Sequence, residues 1–321
     1  MGASARASLV VVGIAMAVFA TTPEARQRPV TATRTNGSAA AKSWTVGRTS
    51  WGDPDFEGVW NYATMTPFER PRDMNSKDVL TPEEAAAFEQ DTIARRATAN
   101  QTAGPDWWDP GTAVMKNRRT SLVVDPADGR VPTLTPEAQK RMAARGRGQR
   151  NNPEAPEDLA LNERCLLWAT AGPPMVPGVY NNNVQFIQTP AYIVIYNEMI
   201  HDARVVPMDG RPHGTMRRWM GDSRGHWDGT TLVVDTINFL DKVNYRGSSE
   251  NLHLIERFTR ATDDTLVYRF TIEDPTTWTK PWSAEIEMTK IPGLMYEYAC
   301  HEGNERSVIG SLSGTLATSP K

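Results

Sequence analysis

Gly221-Asp-Ser-Arg-Gly-His-Trp-Asp-Gly-Thr-Thr-Leu-Val-Val-Asp-Thr-Ile-Asn-Phe239 decides the reading of this chain. Gly221, Gly225, Asp228 and Gly229 make its first part turn-rich, and a β-branched run follows from Thr230 to Ile237. That combination predicts a tight β-hairpin feeding a central strand. Outward from it, strand-like runs separated by Gly, Pro and Asp turns continue on both sides. They are Val184–Gln188, Ala191–Tyr196, Leu252–Phe258, Leu266–Ile272, Ala284–Met288 and Leu294–Cys300. Arg257 to Thr271 reads as a second hairpin around Asp263-Asp264. No helices alternate with these runs, so a parallel α/β sheet is not expected. The predicted fold is mainly β, an antiparallel β-barrel or sandwich over 181–316, with an irregular helix-and-loop half over 51–180 wrapped onto it as one interlocked domain.

Two capped helices are legible in that N-terminal half. Thr81-Pro-Glu-Glu84 offers a capping Thr, a Pro in the first turn and a Glu three residues on, predicting a helix to about Ala97. Thr135-Pro-Glu-Ala138 repeats the signal and leads into Lys140 to Arg150, a basic run without interleaved aromatics that reads as a solvated helix end and linker. Arg119–Pro126 is a short apolar strand closed by a turn at Asp125–Gly129.

The N-terminus reads as a processing signal. Arg6 precedes an uncharged run from Leu9 to Ala20, with small residues at Val18 and Ala20 for cleavage. The run is too short to span a bilayer as a mature helix, and no other stretch approaches that length, so no membrane span is expected after cleavage. Residues 21–50, rich in Thr, Ala, Ser and Arg, read as a disordered leader. The expected location is periplasmic or secreted. An oxidising compartment makes the two cysteines, Cys165 and Cys300, interpretable as a disulfide, with two separate buried thiols as the alternative. A net charge of −3 gives no reason to expect a nucleic-acid partner.

Several blocks resemble those of a large group of uncharacterised exported bacterial proteins. They are Arg119–Pro126 with Asp128-Gly-Arg130, Gly221–Phe239, Leu252–Phe258, Glu273–Trp282 and Tyr296–Asn304. Gly58-Val59-Trp60 is similar to the G-x-W that opens the first lipocalin strand. The resemblance implies architecture and export, and no mechanism.

Chemistry has to come from the residues. All five histidines follow residue 200, yet no standard metal spacing occurs, so neither a metal nor a cofactor is expected, a mixed site assembled from distant strands being the alternative. Gly221-Asp-Ser-Arg-Gly225 matches G-x-S-x-G but leads into a strand, where a nucleophile elbow needs a helix. Carboxylates among apolar neighbours are more informative. Leu252, Leu254, Glu256 and Phe258 share one strand face, which turns Glu256 inward if that face is the core. Glu297 and His301 share a face in the run ending at Cys300. Glu198, His201, Asp202 and Arg204 follow an apolar strand, where a barrel mouth would be. The candidate catalytic residues are therefore Glu198, His201, Glu256 and His301, with Asp202, Arg204, Trp227 and Trp282 as ligand contacts. Against this stands an internal Glu–Arg brace, and core roles for the tryptophans. Two functions are expected. The first is an exported protein binding a small apolar, aromatic or sugar-like ligand in the β cavity. The alternative is a cofactor-free hydrolase, lyase or isomerase using Glu/His acid–base chemistry there.

Overall fold

In a computed structural model, residues 44–74, 77–100, 109–145, 153, 155–243 and 245–318 are described. The expected signal peptide, the leader from 21 to 43 and the loop tryptophans Trp107 and Trp108 lie outside them. Ten strands form one antiparallel sheet. In chain order they are β1 (Gly58–Asn61), β2 (Val123–Asp125), β3 (Asn183–Gln188), β4 (Tyr192–Asn197), β5 (Ala203–Pro207) and β6 (Asp222–Asp228). Then come β7 (Thr231–Ile237), β8 (His253–Arg260), β9 (Thr265–Glu273) and β10 (Trp282–Ile291). The strand order is β5-β4-β3-β1-β10-β9-β8-β7-β6, with β2 pairing onto β10.

The opening stretch forms both arms of the β6–β7 hairpin, closed at Gly229-Thr230 with Gly229 in the left-handed region at φ 63°. It is not central, however: β6 ends the sheet and β7 lies next to it. The sheet curls so that its two ends, β5 and β6, lie alongside each other without pairing, and it does not close. Gly225 is why they can approach. A Cβ there would sit 2.4 Å from Met208 Sδ and 2.9 Å from Val206 Cγ1.

The N-terminal half does more than wrap. β1 pairs with β3 on one side and β10 on the other, so Gly58-Val-Trp60 joins two groups of strands that would otherwise be separate. Trp60, fully buried, anchors it. Order also begins before Trp51. Val46 is buried, and Asp55 N–H donates to Gly47 C=O at 2.8 Å, so 44–50 is not leader. The helices α1 (Pro82–Asn100) and α2 (Pro136–Arg145) start at the expected caps. Thr81 and Glu84 bond each other's backbone N–H at 3.2 and 2.8 Å, and Thr135 accepts from Ala138 N–H at 3.1 Å. A third helix, α3 (Glu305–Thr318), ends the described chain. Leu294–Cys300 is not a strand. It runs irregularly with Leu294 and Tyr296 exposed, because the sheet offers it no partner beyond β10.

Inward residues fill the curl. Phe186, Leu254, Phe258, Tyr268 and Phe270 have essentially no exposure, so the interior is a packed core. Cys165 and Cys300 form the disulfide, their Cα atoms 5.8 Å apart, tying the 155–175 segment to the chain after β10. Among the described residues no helix is long and apolar enough to cross a membrane.

Candidate functional site

The predicted mouth residues follow β4. The chain reverses through a 310 turn at Met199–His201, with Ile200 at φ 60° and His201 at φ 49°. A β-branched residue in the left-handed region is strained, and only firm surroundings hold it there. Met199 and Ile200 are buried with Ala171 against Trp168, Tyr180 and Tyr298. His201 Nδ1 lies 3.0 Å from Tyr298 C=O, which can only accept, so that nitrogen carries the proton. Glu198 accepts from Asn183 Nδ2 at 2.7 Å. Burial pushes its carboxyl up, against that hydrogen bond. Burial raises Asp202 further, to about 6, with His201 pulling the other way. Asp202 Oδ2, and Oδ1 of Asn197 whose N–H donates to Asp202 C=O, are buried without a hydrogen-bond partner among the described residues.

Glu256 does point inward, but into a brace. Its Oε1 accepts from Arg204 Nη2 at 3.0 Å and from Tyr268 O–H at 2.8 Å, and its Oε2 accepts from Arg204 Nη1. Met175 N–H donates to the Tyr268 oxygen at 3.1 Å. Burial pushes the Tyr268 hydroxyl well up, and the adjacent Glu256 charge adds to it. Both carboxylate oxygens are taken, and Glu256 and Tyr268 have no exposure. The four residues picked for catalysis do not converge. Glu256 is sealed in the core, Glu198 bonds to Asn183 on the opposite side of β3 from Val184 and Phe186, and His201 and His301 are exposed. His301 sits in the turn after Cys300, where no strand turns it inward.

Nor do the tryptophans form a platform. Trp282 is fully buried against Phe68, Phe270 and Trp278, and Trp227 packs its edge on Phe56 with ring centres 5.4 Å apart.

The convergence that sequence reasoning missed lies on the outer face. Each of two histidines sits between two carboxylates. His213 Nε2 is 2.8 Å from Asp235 Oδ1, and its Nδ1 is 3.4 Å from Asp222 Oδ2. His253 Nε2 is 2.7 Å from Asp235 Oδ2, and its Nδ1 is 3.0 Å from Glu273 Oε2. His253, with a carboxylate hydrogen-bonded at each ring nitrogen, satisfies both only when doubly protonated. Accordingly the Asp235 hydrogen bond raises His253 against its partial burial. Burial alone would raise Asp235, but the two histidines outweigh it and hold the carboxyl low. Pairing of His253 with Glu273 was findable from the β8–β9 register; His213, in the loop after β5, left no periodic signal. Among the described residues no group of three or more His, Cys, Asp or Glu is arranged to hold a metal ion.

A cleft of about 540 Å³ opens outside the curl, between 157–173 and 241–245. Leu159, Leu161, Leu167, Trp168, Pro173, Val243 and Tyr245 give it apolar and aromatic walls, and Glu157, Arg164, Asp241 and Lys242 line it too. Trp168 joins the cleft to the strained turn, since its other contacts are Met199, Ile200, Tyr180 and Tyr298. The disulfide at Cys165 fixes the same wall. The predicted mouth residues thus stand behind the cleft and do not line it. No family model, curated protein or solved structure matches this chain, so the reading rests on this geometry.

Proposed function

We propose that this is an exported protein that binds a small apolar or aromatic ligand in the cleft between 157–173 and 241–245. The carrying observation is the cleft itself: about 540 Å³, walled by leucines, Trp168 and Tyr245, with a few charged side chains. Small-molecule sites have this size and lining. The disulfide and the signal-like sequence from Arg6 to Ala20 support export. Binding is better supported than acid–base catalysis in an interior cavity, because the interior is packed and both oxygens of Glu256 are occupied. The histidine–carboxylate chain lies on the outer sheet face, and none of its members lines the cleft.

Calorimetric titration with 1-anilinonaphthalene-8-sulfonate tests this, using the oxidised protein and an Ala169→Trp variant that fills the cleft. One saturable site in the parent, lost in Ala169→Trp while the melting temperature holds, is the expected result. Binding unaffected by the filled cleft would sink the proposal.

A further inference from the structure

The wall of the cleft that carries Leu159 to Trp168 has no helix or strand of its own, since none forms between the 310 turn Pro156–Asp158 and β3. The facing wall belongs to the main core, where Val243 and Tyr245 are buried. The first wall is gripped at two places. At its inner end Leu167 packs against the main core, and Trp168 packs on the cluster of Ala171, Met199 and Ile200. Further out stands the Cys165–Cys300 disulfide. The long-range hydrogen bonding of 159–168, among the described residues, gathers beside it. Asn304 Nδ2 donates to Glu163 C=O at 2.6 Å and lies 3.4 Å from Cys165 Sγ. Cys300 is anchored in turn, packing with Tyr298 on Met199 and Ile200. Neither cysteine lies on a strand or in the main core. Cys165 holds φ 53°, a backbone conformation that costs a non-glycine residue free energy and persists only while its surroundings impose it.

Building on the cleft reading, we propose that the Cys165–Cys300 bond is a redox latch on the site: the oxidised protein holds its ligand, and reduction by a dithiol releases it. Cys300 is partly exposed and Cys165 only 8% exposed, so a thiolate of the dithiol attacks Cys300 Sγ. Cys165 leaves as a thiolate and takes a proton. The second thiol of the reductant then resolves the mixed disulfide, and Cys300 leaves as a thiol. Two electrons and two protons pass to the cysteines, and the dithiol ends as a disulfide. The outer part of the wall is left with the Asn304 hydrogen bond, and Cys165 is free to leave φ 53°. Residues 159–166 then move away from Val243 and Tyr245, while the sheet keeps its ladder and core.

Calorimetry with 1-anilinonaphthalene-8-sulfonate tests this on the oxidised parent and after dithiothreitol, with alkylation and mass spectrometry counting the free thiols. The oxidised protein should show one site. The reduced protein should bind about tenfold more weakly, as if one molecule in ten kept its wall in place. Amide deuterium exchange should quicken in 159–168 on reduction and stay unchanged in β8 and β9. The Cys165→Ser/Cys300→Ser variant should bind as the reduced parent does and be unaffected by dithiothreitol. Four results overturn the inference and leave the cleft reading intact. They are equal affinity before and after reduction, a bond that dithiothreitol cannot reduce in the folded protein, exchange in β8 and β9 that quickens along with 159–168, and a double variant that binds like the oxidised parent. If the oxidised parent shows no saturable site, the cleft reading itself fails and this inference with it.

Discussion

Two clusters of charge lie on opposite faces of the same sheet and are built differently. On the inner face Arg204 of β5 reaches Glu256 of β8, with Tyr268 of β9 closing the group and only Arg204, at 6%, touching solvent. On the outer face His213 and His253 string Asp222, Asp235 and Glu273 into a chain whose side chains are between 4% and 41% exposed. The inner pair gains from low dielectric but has lost the hydration of two ions, so its net worth is small even though either half alone would be ruinous. The outer chain keeps part of its hydration and includes His253, whose pKa the Asp235 hydrogen bond raises. The inner cluster should therefore respond to amputation and hardly at all to pH, and the outer one the reverse.

The largest expected effect is on the inner side. Glu256→Ala leaves Arg204 charged and dry, and should cost about 3–5 kcal/mol in urea unfolding. The double variant Arg204→Met/Glu256→Leu should recover most of that loss, because it removes both charges and keeps the volume. A single variant that melts like the parent would mean that water reaches Arg204, and the contrast between the two faces would collapse.

How much of this the sequence made legible follows from which signals are local. Strand periodicity put Glu256 on the face of Leu252, Leu254 and Phe258, and the structure places all four inside. The helix caps at Thr81 and Thr135 were equally readable, since their partners lie three residues away. Sheet order was not local. Nothing in Gly58-Val-Trp60 says that it will lie between β3 and β10, or that the Gly221–Phe239 hairpin will end at the sheet's margin beside β5. The errors about the site have the same origin. Glu198 to Arg204 looked like a mouth because an apolar strand precedes them, yet the cleft formed on the far side of Trp168, from 157–173 and 241–245. His301 was turned inward only on paper, by a strand that has no neighbour to pair with.

Asp202 sharpens the comparison with a smaller effect of opposite sign. It is a carboxylate beside the brace strand whose lost hydration outweighs the pull of His201, which is why burial raises it from 3.8 to about 6. Between those values the folded state holds its proton more tightly than the unfolded chain does, so stability falls as pH rises from about 4 to about 6. Asp202→Asn removes the charge. It should stabilise the protein at pH 7 by about 1 kcal/mol, with solvent access limiting the gain. The stability slope between pH 4 and 6 should flatten at the same time. Destabilisation at pH 7 would show that Asp202 already has a cationic partner in solution.

The smallest effect belongs to the outer chain, and pH isolates it. His253 titrates above its ordinary 6.5 when folded, chiefly through its hydrogen bond to Asp235. Its contribution is therefore complete below about 6.5 and is lost as pH rises through the higher folded value. The carboxylates work in the other direction. Asp235 and Asp222 are held below 3.8, so their contribution is present above that value and disappears only as strongly acid pH is approached. Above pH 6.5, beyond the window of Asp202, the chain accounts for the slope. Urea unfolding from pH 6 to 9 should show the parent losing about 0.5 kcal/mol more than His253→Gln, a modest figure because these side chains are roughly one-third exposed. His253→Gln keeps a donor for Asp235 but cannot change its charge, so it removes the pH dependence without emptying the position. Parallel curves for the two proteins would mean that His253 is neutral throughout. A carboxylate would then face a bare ring nitrogen, and the alternating chain on the outer face would not exist as drawn.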